Sequence, residues 1–194
     1  MTVDGRSRPD GIFVRALGDA FEDLAPALRR FHSLAGEHGF RGEVSTLAPG
    51  TWLARLCAWI ARTPSAHDRA PFDFELSASP GHQIWIRCFA DRRMRSVLTG
   101  DTVRGVAAIL ERVPLARFQF TPSVREGALH LELAGFRVIG IAVPRFGWPR
   151  VRAVERQEGE DRVGFDVEAA LPLIGRVAAY RGWIAVPGDD GIDK

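Results

Sequence analysis

The strongest constraint on this chain is an alternation of apolar and polar side chains that begins after residue 71 and recurs to residue 186. In its first stretch, Phe72, Phe74 and Leu76 alternate with polar residues, which predicts a half-buried strand. A Pro80-Gly81 turn leads directly into 83–90, so these two segments are expected to form a hairpin. Further strands are predicted at 94–98, 103–113, 117–122, 128–143, 150–157, 162–170 and 176–186, although 103–113 also suits a short helix. Because the connections are short, consecutive strands should pair as antiparallel neighbours.

Two helical segments precede these strands. From residue 12, apolar side chains recur every three or four positions as far as Phe31, with a break at Pro26 and an end at Gly36 and Gly39. A second amphipathic segment runs from Thr51, a suitable N-cap, to residue 60. A sheet of this size must curl to cover its apolar side. We therefore predict an α+β fold: a large curved antiparallel β-sheet of about eight or nine strands, barrel-like or gripping a helix, packed with two N-terminal helical segments.

Length and sequence pattern predict the domain organisation and the location. The 194 residues suit one globular domain at 11–187, with flexible tails at 1–10 and 188–194 and no interior linker. No run of about 18 apolar residues is present that would span a membrane. The N-terminus also lacks the apolar stretch of a secretory signal. We expect a cytoplasmic protein.

The charge balance and the cysteine positions limit which partners and which metal or disulfide sites are expected. The 26 basic and 24 acidic residues nearly cancel, which gives no electrostatic reason to expect nucleic acid or a strongly anionic surface as a partner. Cys57 and Cys88 lie in apolar stretches and outside any ligand spacing, so we expect buried thiols and neither a disulfide nor a zinc site. No two histidines stand at metal-ligand spacing. We expect no metal and no cofactor.

The segment 83–90 is apolar on both faces. Trp85 and Phe89 share one face, whereas Ile84, Ile86 and Cys88 share the other. Such a strand should be covered on both sides, by helices outside and by a core or cavity inside. Closed and half-closed antiparallel sheets of this size often hold one apolar ligand.

Several phrases occur in the order of a known family. They are Leu17 to Phe21 followed by Phe31-His32, Trp85-x-Arg87-x-Phe89 followed by Met94 and Ser96, Leu110-Glu111 with Phe118, and Pro172-x-x-Gly175 before Tyr180 to Trp183. Together they cover residues 16–186 and resemble the bacterial domain-of-unknown-function family 4166. The family is defined by sequence, so the resemblance implies no established activity.

The resemblance implies one further expectation about partners. Domains of this family also occur fused behind nicotinamide-dependent reductase or epimerase-like domains, which implies an accessory role in handling a substrate. This chain has no Gly-rich nucleotide loop after a strand, so such an oxidoreductase partner would be a separate protein.

Arg87 is the most informative polar residue, because it shares a face with Trp85 and Phe89. It either pairs with Glu111 or rests on the Trp85 ring, or it anchors the carboxylate or phosphate of a ligand at the end of an apolar pocket. Ser96, on the next strand, can offer a hydroxyl beside it. No Gly-x-Ser-x-Gly motif surrounds Ser96, which argues against a nucleophile.

Two further residues are candidates for the same pocket. His32 ends the apolar stripe of the first helical region, where it caps, packs or enters the pocket. Tyr180 is the one tyrosine of the chain, and it serves either as a hydrogen-bonding phenol in a cavity or as a structural residue. Glu155 and Glu168 have no partner that the sequence can name.

Three hypotheses about function follow. The first is a non-enzymatic domain that binds a hydrophobic or lipid-like small molecule, with ligand-binding candidates Trp85, Arg87, Phe89, Ser96, Glu111, Tyr180 and His32 and with no catalytic residue. The second is an interaction module for a separate nicotinamide-dependent enzyme. The third is an acid–base enzyme that uses Arg87, Glu111 and Tyr180 or His32 around the same pocket.

Overall fold

Ten antiparallel strands follow one another around a closed barrel, and an eleventh short strand lies beside it. The computed structural model describes residues 11–60, 63–186 and 188. Its strands are β1 (Gly36–Thr46), β2 (His67–Ser79), β3 (His82–Cys88), β4 (Arg93–Val103), β5 (Val106–Arg112), β6 (Ala116–Arg125), β7 (Ala128–Val138), β8 (Ile141–Ala142), β9 (Arg150–Gln157), β10 (Arg162–Leu171) and β11 (Gly175–Ala185). Its helices are α1 (Ile12–Leu17), α2 (Pro26–Ser33) and α3 (Trp52–Ile60), with 3₁₀ turns at Gly18–Asp23 and Arg145–Gly147.

The first and last strands close the barrel. β1 pairs antiparallel with β11, and Val44 lies opposite Gly182. β7 pairs with both β6 and β9, so the barrel bypasses β8. A Cβ atom added at Gly182 would lie 2.1 Å from the backbone oxygen of Glu43, so glycine is required where these two strands meet.

The strand order places the connections at two ends of the barrel. At one end, α1 contacts β4, β5 and β6, and α2 contacts β9 and β10. The Ala25 amide donates to the Gly127 carbonyl at 2.9 Å, which ties this helical segment to the β6–β7 turn. We call this the plugged end. The distal end holds α3 and the connections β3–β4, β5–β6, β7–β9 and β10–β11.

The helical plug completes the core. An eight-stranded barrel is just wide enough for its own side chains to fill, so a ten-stranded barrel needs additional filling. Phe13, Leu28 and Phe31 from α1 and α2 are buried and join the apolar cluster of the barrel interior. The interior is therefore a packed core over most of its volume.

The short helix α3 has its apolar residues on the unexpected side. Thr51 caps it as predicted, because its hydroxyl accepts the Ala54 amide at 3.1 Å. Ala54 and Ala58 are buried, whereas Trp52 and Trp59 are 72% and 67% exposed. The helix packs against β11. It therefore turns its small residues toward the barrel and its bulky ones toward solvent.

The predicted fold class is confirmed, with α+β character and a large antiparallel sheet in the form of a barrel. The strand count was too low, mainly because Gly36 and Gly39 were interpreted as the end of a helix and 40–46 was assigned no strand, whereas 36–46 forms β1. The ambiguous segment 103–113 contains strand β5, and the predicted strand 128–143 divides into β7 and β8. The break predicted at Pro26 is present, since Pro26 opens α2.

Two smaller expectations were wrong. Cys57 and Cys88 are free, as expected, but they are half-buried rather than buried. The outer face of β3, with Ile84 and Ile86, is likewise half-buried. Residues 1–10 and 189–194, which we expected to be tails, lie outside the described residues.

Candidate functional site

A small cavity lies inside the barrel, and aromatic rings form most of its wall. The ring-bearing residues are Phe31, Phe72, Phe74, Trp85, Phe165 and Tyr180. Arg87 and Glu155 are the charged residues that line it. About 40 Å³ is available to the centre of a water molecule. This volume holds a few waters, and it is below the roughly 150 Å³ of an apolar cavity that admits benzene.

Arg87 is held by two partners on neighbouring strands. Its Nη1 donates to the Ser96 hydroxyl at 2.8 Å. Both Nη atoms lie 3.4 Å from Glu111 Oε1, and the two side chains are only 11% and 17% exposed. The guanidinium carbon also lies 5.1 Å from the centre of the Trp85 ring, within the range of a cation–π contact.

The charge of Arg87 is stable in this environment. Burial disfavours the charged guanidinium, but an ionised Tyr180, at the high pH where Arg87 would titrate, and the carboxylates of Glu111 and Glu155 outweigh that effect and raise the pKa of Arg87. Arg87 therefore remains a cation inside the barrel.

A second pair of polar side chains, in hydrogen-bond contact, joins the plug to the barrel wall. His32, on α2, is 1% exposed, and its Nε2 lies 2.8 Å from Glu155 Oε2. The other ring nitrogen, Nδ1, is buried without a hydrogen-bond partner. The His32 ring lies among aromatic rings, with the Phe13 centroid at 4.0 Å. This pair places a carboxylate against the cavity and fixes α2 to β9.

Tyr180 presents an unpaired hydroxyl. The residue is buried, and its ring lies 5.4 Å edge-to-face from Phe89 and 6.0 Å from Phe165. Within the described part of the chain, no group makes a hydrogen bond to the Tyr180 hydroxyl, although the residue lines the cavity. Burial raises the pKa of this hydroxyl, and the positive charge of Arg87 partly offsets the effect. Tyr180 is therefore a neutral phenol at physiological pH.

All seven candidate residues lie in or beside this part of the barrel interior. Trp85, Arg87 and Tyr180 line the cavity itself. Ser96 and Glu111 contact Arg87, Phe89 contacts Tyr180, and His32 reaches the cavity through Glu155.

The sequence did not reveal two polar members of this interior. Glu155 could not be given a partner, because its contact with His32 spans 123 positions and depends on how the barrel closes. Gln83, buried on β3, accepts the Trp85 indole N–H at 3.0 Å. Its place on the Trp85 face of the strand was the available signal for it.

The described residues contain no group of three or more His, Cys, Asp or Glu side chains placed to hold a metal ion. Over the same part of the chain, no helix has the length and apolar character needed to cross a membrane.

The geometry thus defines a class of protein: an up-and-down, ten-stranded β-barrel with a helical plug and a small aromatic cavity. Within that class, the chain belongs to the family described as a domain of unknown function, DUF4166, whose model matches residues 24–184. This match confirms the resemblance found in the sequence.

Two further comparisons complete this picture. Among solved structures, the chain is similar to Rv2717c from M. tuberculosis, with 15% identity and a TM-score of 0.45 over 85% of this chain and 99% of that chain. A search of curated proteins found no match.

Proposed function

We propose that this protein binds a small, neutral, largely apolar molecule inside the barrel, with one polar group of the ligand hydrogen-bonded to Tyr180. The observation that carries this proposal is Tyr180, which lines the cavity and whose hydroxyl makes no hydrogen bond to another described residue. A polar group of a ligand that hydrogen-bonds to this hydroxyl contributes about 1 kcal/mol to binding. The aromatic wall supplies the apolar surface of a typical small-molecule site.

The charges of the interior favour a neutral ligand over an anionic one. Glu111 and Ser96 already occupy the guanidinium of Arg87. Glu155 places a carboxylate on the cavity wall and Glu111 pairs with Arg87 beside it, so a ligand anion would meet one cation with two carboxylates nearby. These contacts argue against the carboxylate or phosphate ligand that the sequence left open for Arg87.

The volume of the cavity restricts the ligand further. At about 40 Å³, it accepts water or a very small molecule without rearrangement. A ligand with one aromatic ring requires neighbouring rings such as Phe72 and Phe165 to change rotamer. A long lipid chain would require displacement of Phe31 and the rest of the plug.

The proposal is tested by titration with three ligands that differ in one group: benzene, phenol and benzoate. Chemical-shift changes at the cavity residues report the binding of each. We expect phenol to bind about fivefold more tightly than benzene, since one hydrogen bond contributes about 1 kcal/mol. Benzoate should bind more weakly than phenol because of the two carboxylates.

Two variants show whether Tyr180 is responsible. In Tyr180→Phe, the preference for phenol over benzene should disappear while benzene affinity stays the same. The matched control is Thr99→Val, which removes a hydroxyl from β4 outside the cavity lining and should leave the preference intact. The proposal fails if none of the three ligands shifts the cavity resonances in a saturable way.

The other hypotheses from the sequence stay predictions. An acid–base enzyme is compatible with the contact of Arg87 with Glu111 and with Tyr180 on the same cavity. It differs from the binding proposal in one measurable respect, because it requires a bound molecule to be converted. A docking role toward a separate nicotinamide-dependent enzyme would require a complex of the two proteins, which co-purification tests.

A further inference from the structure

The large apolar side chains that this protein exposes are concentrated at the distal end of the barrel. In the described part of the chain, Val106 is the one such side chain more than a third exposed that lies at the plugged end. The others belong to the β1–β2 connection, which contains α3, and to three of the other connections at the distal end. Single exposed apolar residues are common on protein surfaces, but a collection at one end indicates an interaction site.

Helix α3 makes the largest contribution. Trp52, Leu56 and Trp59 are spaced by three and four residues and form one stripe, with Leu53 and Ile60 beside it, and all five are exposed. The opposite side of the helix, with Ala54 and Ala58, is buried. A helix whose bulky face is turned away from the protein core is oriented for contact with something outside the molecule.

The hairpin turns also differ between the two ends, with a polar first residue at the plugged end and an apolar one at the distal end. The turns Arg104-Gly105 and Glu126-Gly127 at the plugged end, and Ile139-Gly140 at the distal end, each have two successive residues with positive φ. Such turns favour glycine or a polar residue at the first position, and a β-branched residue there is strained. Ile139 occupies this position with φ 50° and is 76% exposed. Solvent exposure gives no reason for an isoleucine there, whereas contact with an apolar environment does.

The exposed charges at the distal end are mainly positive. The described part of this end exposes arginines in its connections and on the strand residues that flank them: Arg55, Arg112, Arg117, Arg137, Arg145 and Arg150. The exposed acidic residues in the same positions are Asp68 and Asp91, and Asp91 lies 3.9 Å from Arg92. A further exposed arginine of this end, Arg93, is paired with Glu75 at 2.7 Å. Between residues 47 and 67 the sequence contains no aspartate or glutamate. This end therefore combines apolar side chains with positive charge.

From these observations we infer that the distal end docks on an anionic lipid surface, with α3 lying in the headgroup region. Tryptophan favours the interface between hydrocarbon and water, and arginine binds anionic headgroups. The apolar residues come from four separate connections around the barrel end, which suits a broad deformable surface better than one protein groove. The inference does not depend on ligand binding inside the barrel.

Vesicle flotation of the full chain tests the inference. Vesicles of phosphatidylcholine alone are compared with vesicles of equal parts phosphatidylcholine and phosphatidylglycerol. We expect the protein to float with the anionic vesicles, to remain behind with the neutral ones, and to dissociate as salt is added. A blue shift of tryptophan emission should accompany binding as Trp52 and Trp59 leave water.

Paired variants assign the effect to α3. Trp52→Ala with Trp59→Ala should weaken vesicle binding on the order of tenfold or more, since two large apolar side chains are removed. Val106→Ala, which shortens an exposed apolar residue at the plugged end, should leave binding unchanged. Because both tryptophans are exposed, the double variant should keep the wild-type far-ultraviolet spectrum and its affinity for phenol.

Three results would overturn the inference. The first is that neither vesicle type binds the wild-type chain. The second is that the Trp52/Trp59 double variant binds anionic vesicles as the wild type does. The third is that the wild type binds no vesicles but forms a dimer that the double variant abolishes, because the occupant of this surface is then a second copy of the chain. Failure of phenol binding in the barrel would leave all three outcomes unaffected.

Discussion

The two ends of this barrel use apolar residues in opposite ways. At the plugged end, Phe13 and Leu28 point inward from helices and are completely buried. At the distal end, Trp52 and Trp59 point outward from a helix of similar length and are mostly exposed. Both helical segments show an apolar period in the sequence. The comparison teaches that helical periodicity identifies a common face, whereas the partner of that face decides what the helix does.

The largest expected effect is a difference in stability loss when leucine is replaced by alanine in α2 and in α3. Leu28→Ala, on α2, removes a side chain with no exposed surface and should lower the free energy of unfolding by about 3 kcal/mol. Leu56→Ala, on α3, shortens a side chain that is 48% exposed and should cost no more than about 0.5 kcal/mol. Urea denaturation of both variants measures the difference. Equal losses would show that α3 is part of the core and break the comparison.

The next effect contrasts an ion pair inside the barrel with one outside it. Glu111→Leu leaves Arg87 without its carboxylate and should cost about 2 kcal/mol, less than a fully buried pair because both groups keep some exposure. Glu75→Leu breaks the exposed contact with Arg93 and should cost below about 1 kcal/mol, although that contact is shorter at 2.7 Å.

A double variant identifies the physical reason for the first of these costs. Arg87→Met combined with Glu111→Leu should recover most of the stability, since no unpaired charge remains inside. If the double variant is as unstable as Glu111→Leu alone, lost packing rather than the unpaired charge accounts for the effect.

A smaller effect concerns pH and the single tyrosine of the chain. Because the pKa of Tyr180 is raised in the folded state, the unfolded chain loses this proton first as the pH rises above about 10. The folded state then binds more protons, so stability falls as the pH increases from about 10 through the raised pKa. Tyr180→Phe should lack this part of the alkaline loss.

The same residue can be titrated directly. Tyrosinate absorption near 295 nm reports Tyr180 alone, and it should develop at higher pH in the folded protein than in urea. Identical titration curves in the two states would mean that the hydroxyl is open to water, and the proposed ligand site would lose its support.

The smallest effect is confined to the distal end. Thr51→Ala removes the hydroxyl that accepts the Ala54 amide and donates to the Ile174 carbonyl at 2.7 Å. We expect a cost of about 1 kcal/mol or less, seen as faster amide exchange within α3 and not as a change at the plugged end. Faster exchange in α2 as well would show that the two ends unfold together.

The sequence predicted the strands better than the site. Alternation placed Trp85, Arg87 and Phe89 on one face of β3, and all three lie inside the barrel. Strand β1 was missed, because it contains three glycines and few β-branched residues, and its partners β2 and β11 stabilise it as a strand.

Contacts between residues far apart in the sequence could not be predicted, for a related reason. Alternation assigns Glu155 to a face but not to His32, because their contact depends on the register of the whole barrel. For α3, the period was correct, but the face that is buried carries small alanines instead of the large residues. Hydrophobicity alone predicts the reverse.

The pairing of β1 with β11 has a consequence for biosynthesis. β1 leaves the ribosome long before its second neighbour β11, which is made more than 100 residues later. Until then β1 presents an unpaired edge, which is a template for pairing with other chains. Closure also joins residues about 140 positions apart, a separation that slows folding. The nascent chain is therefore expected to depend on protection from aggregation until β11 is available.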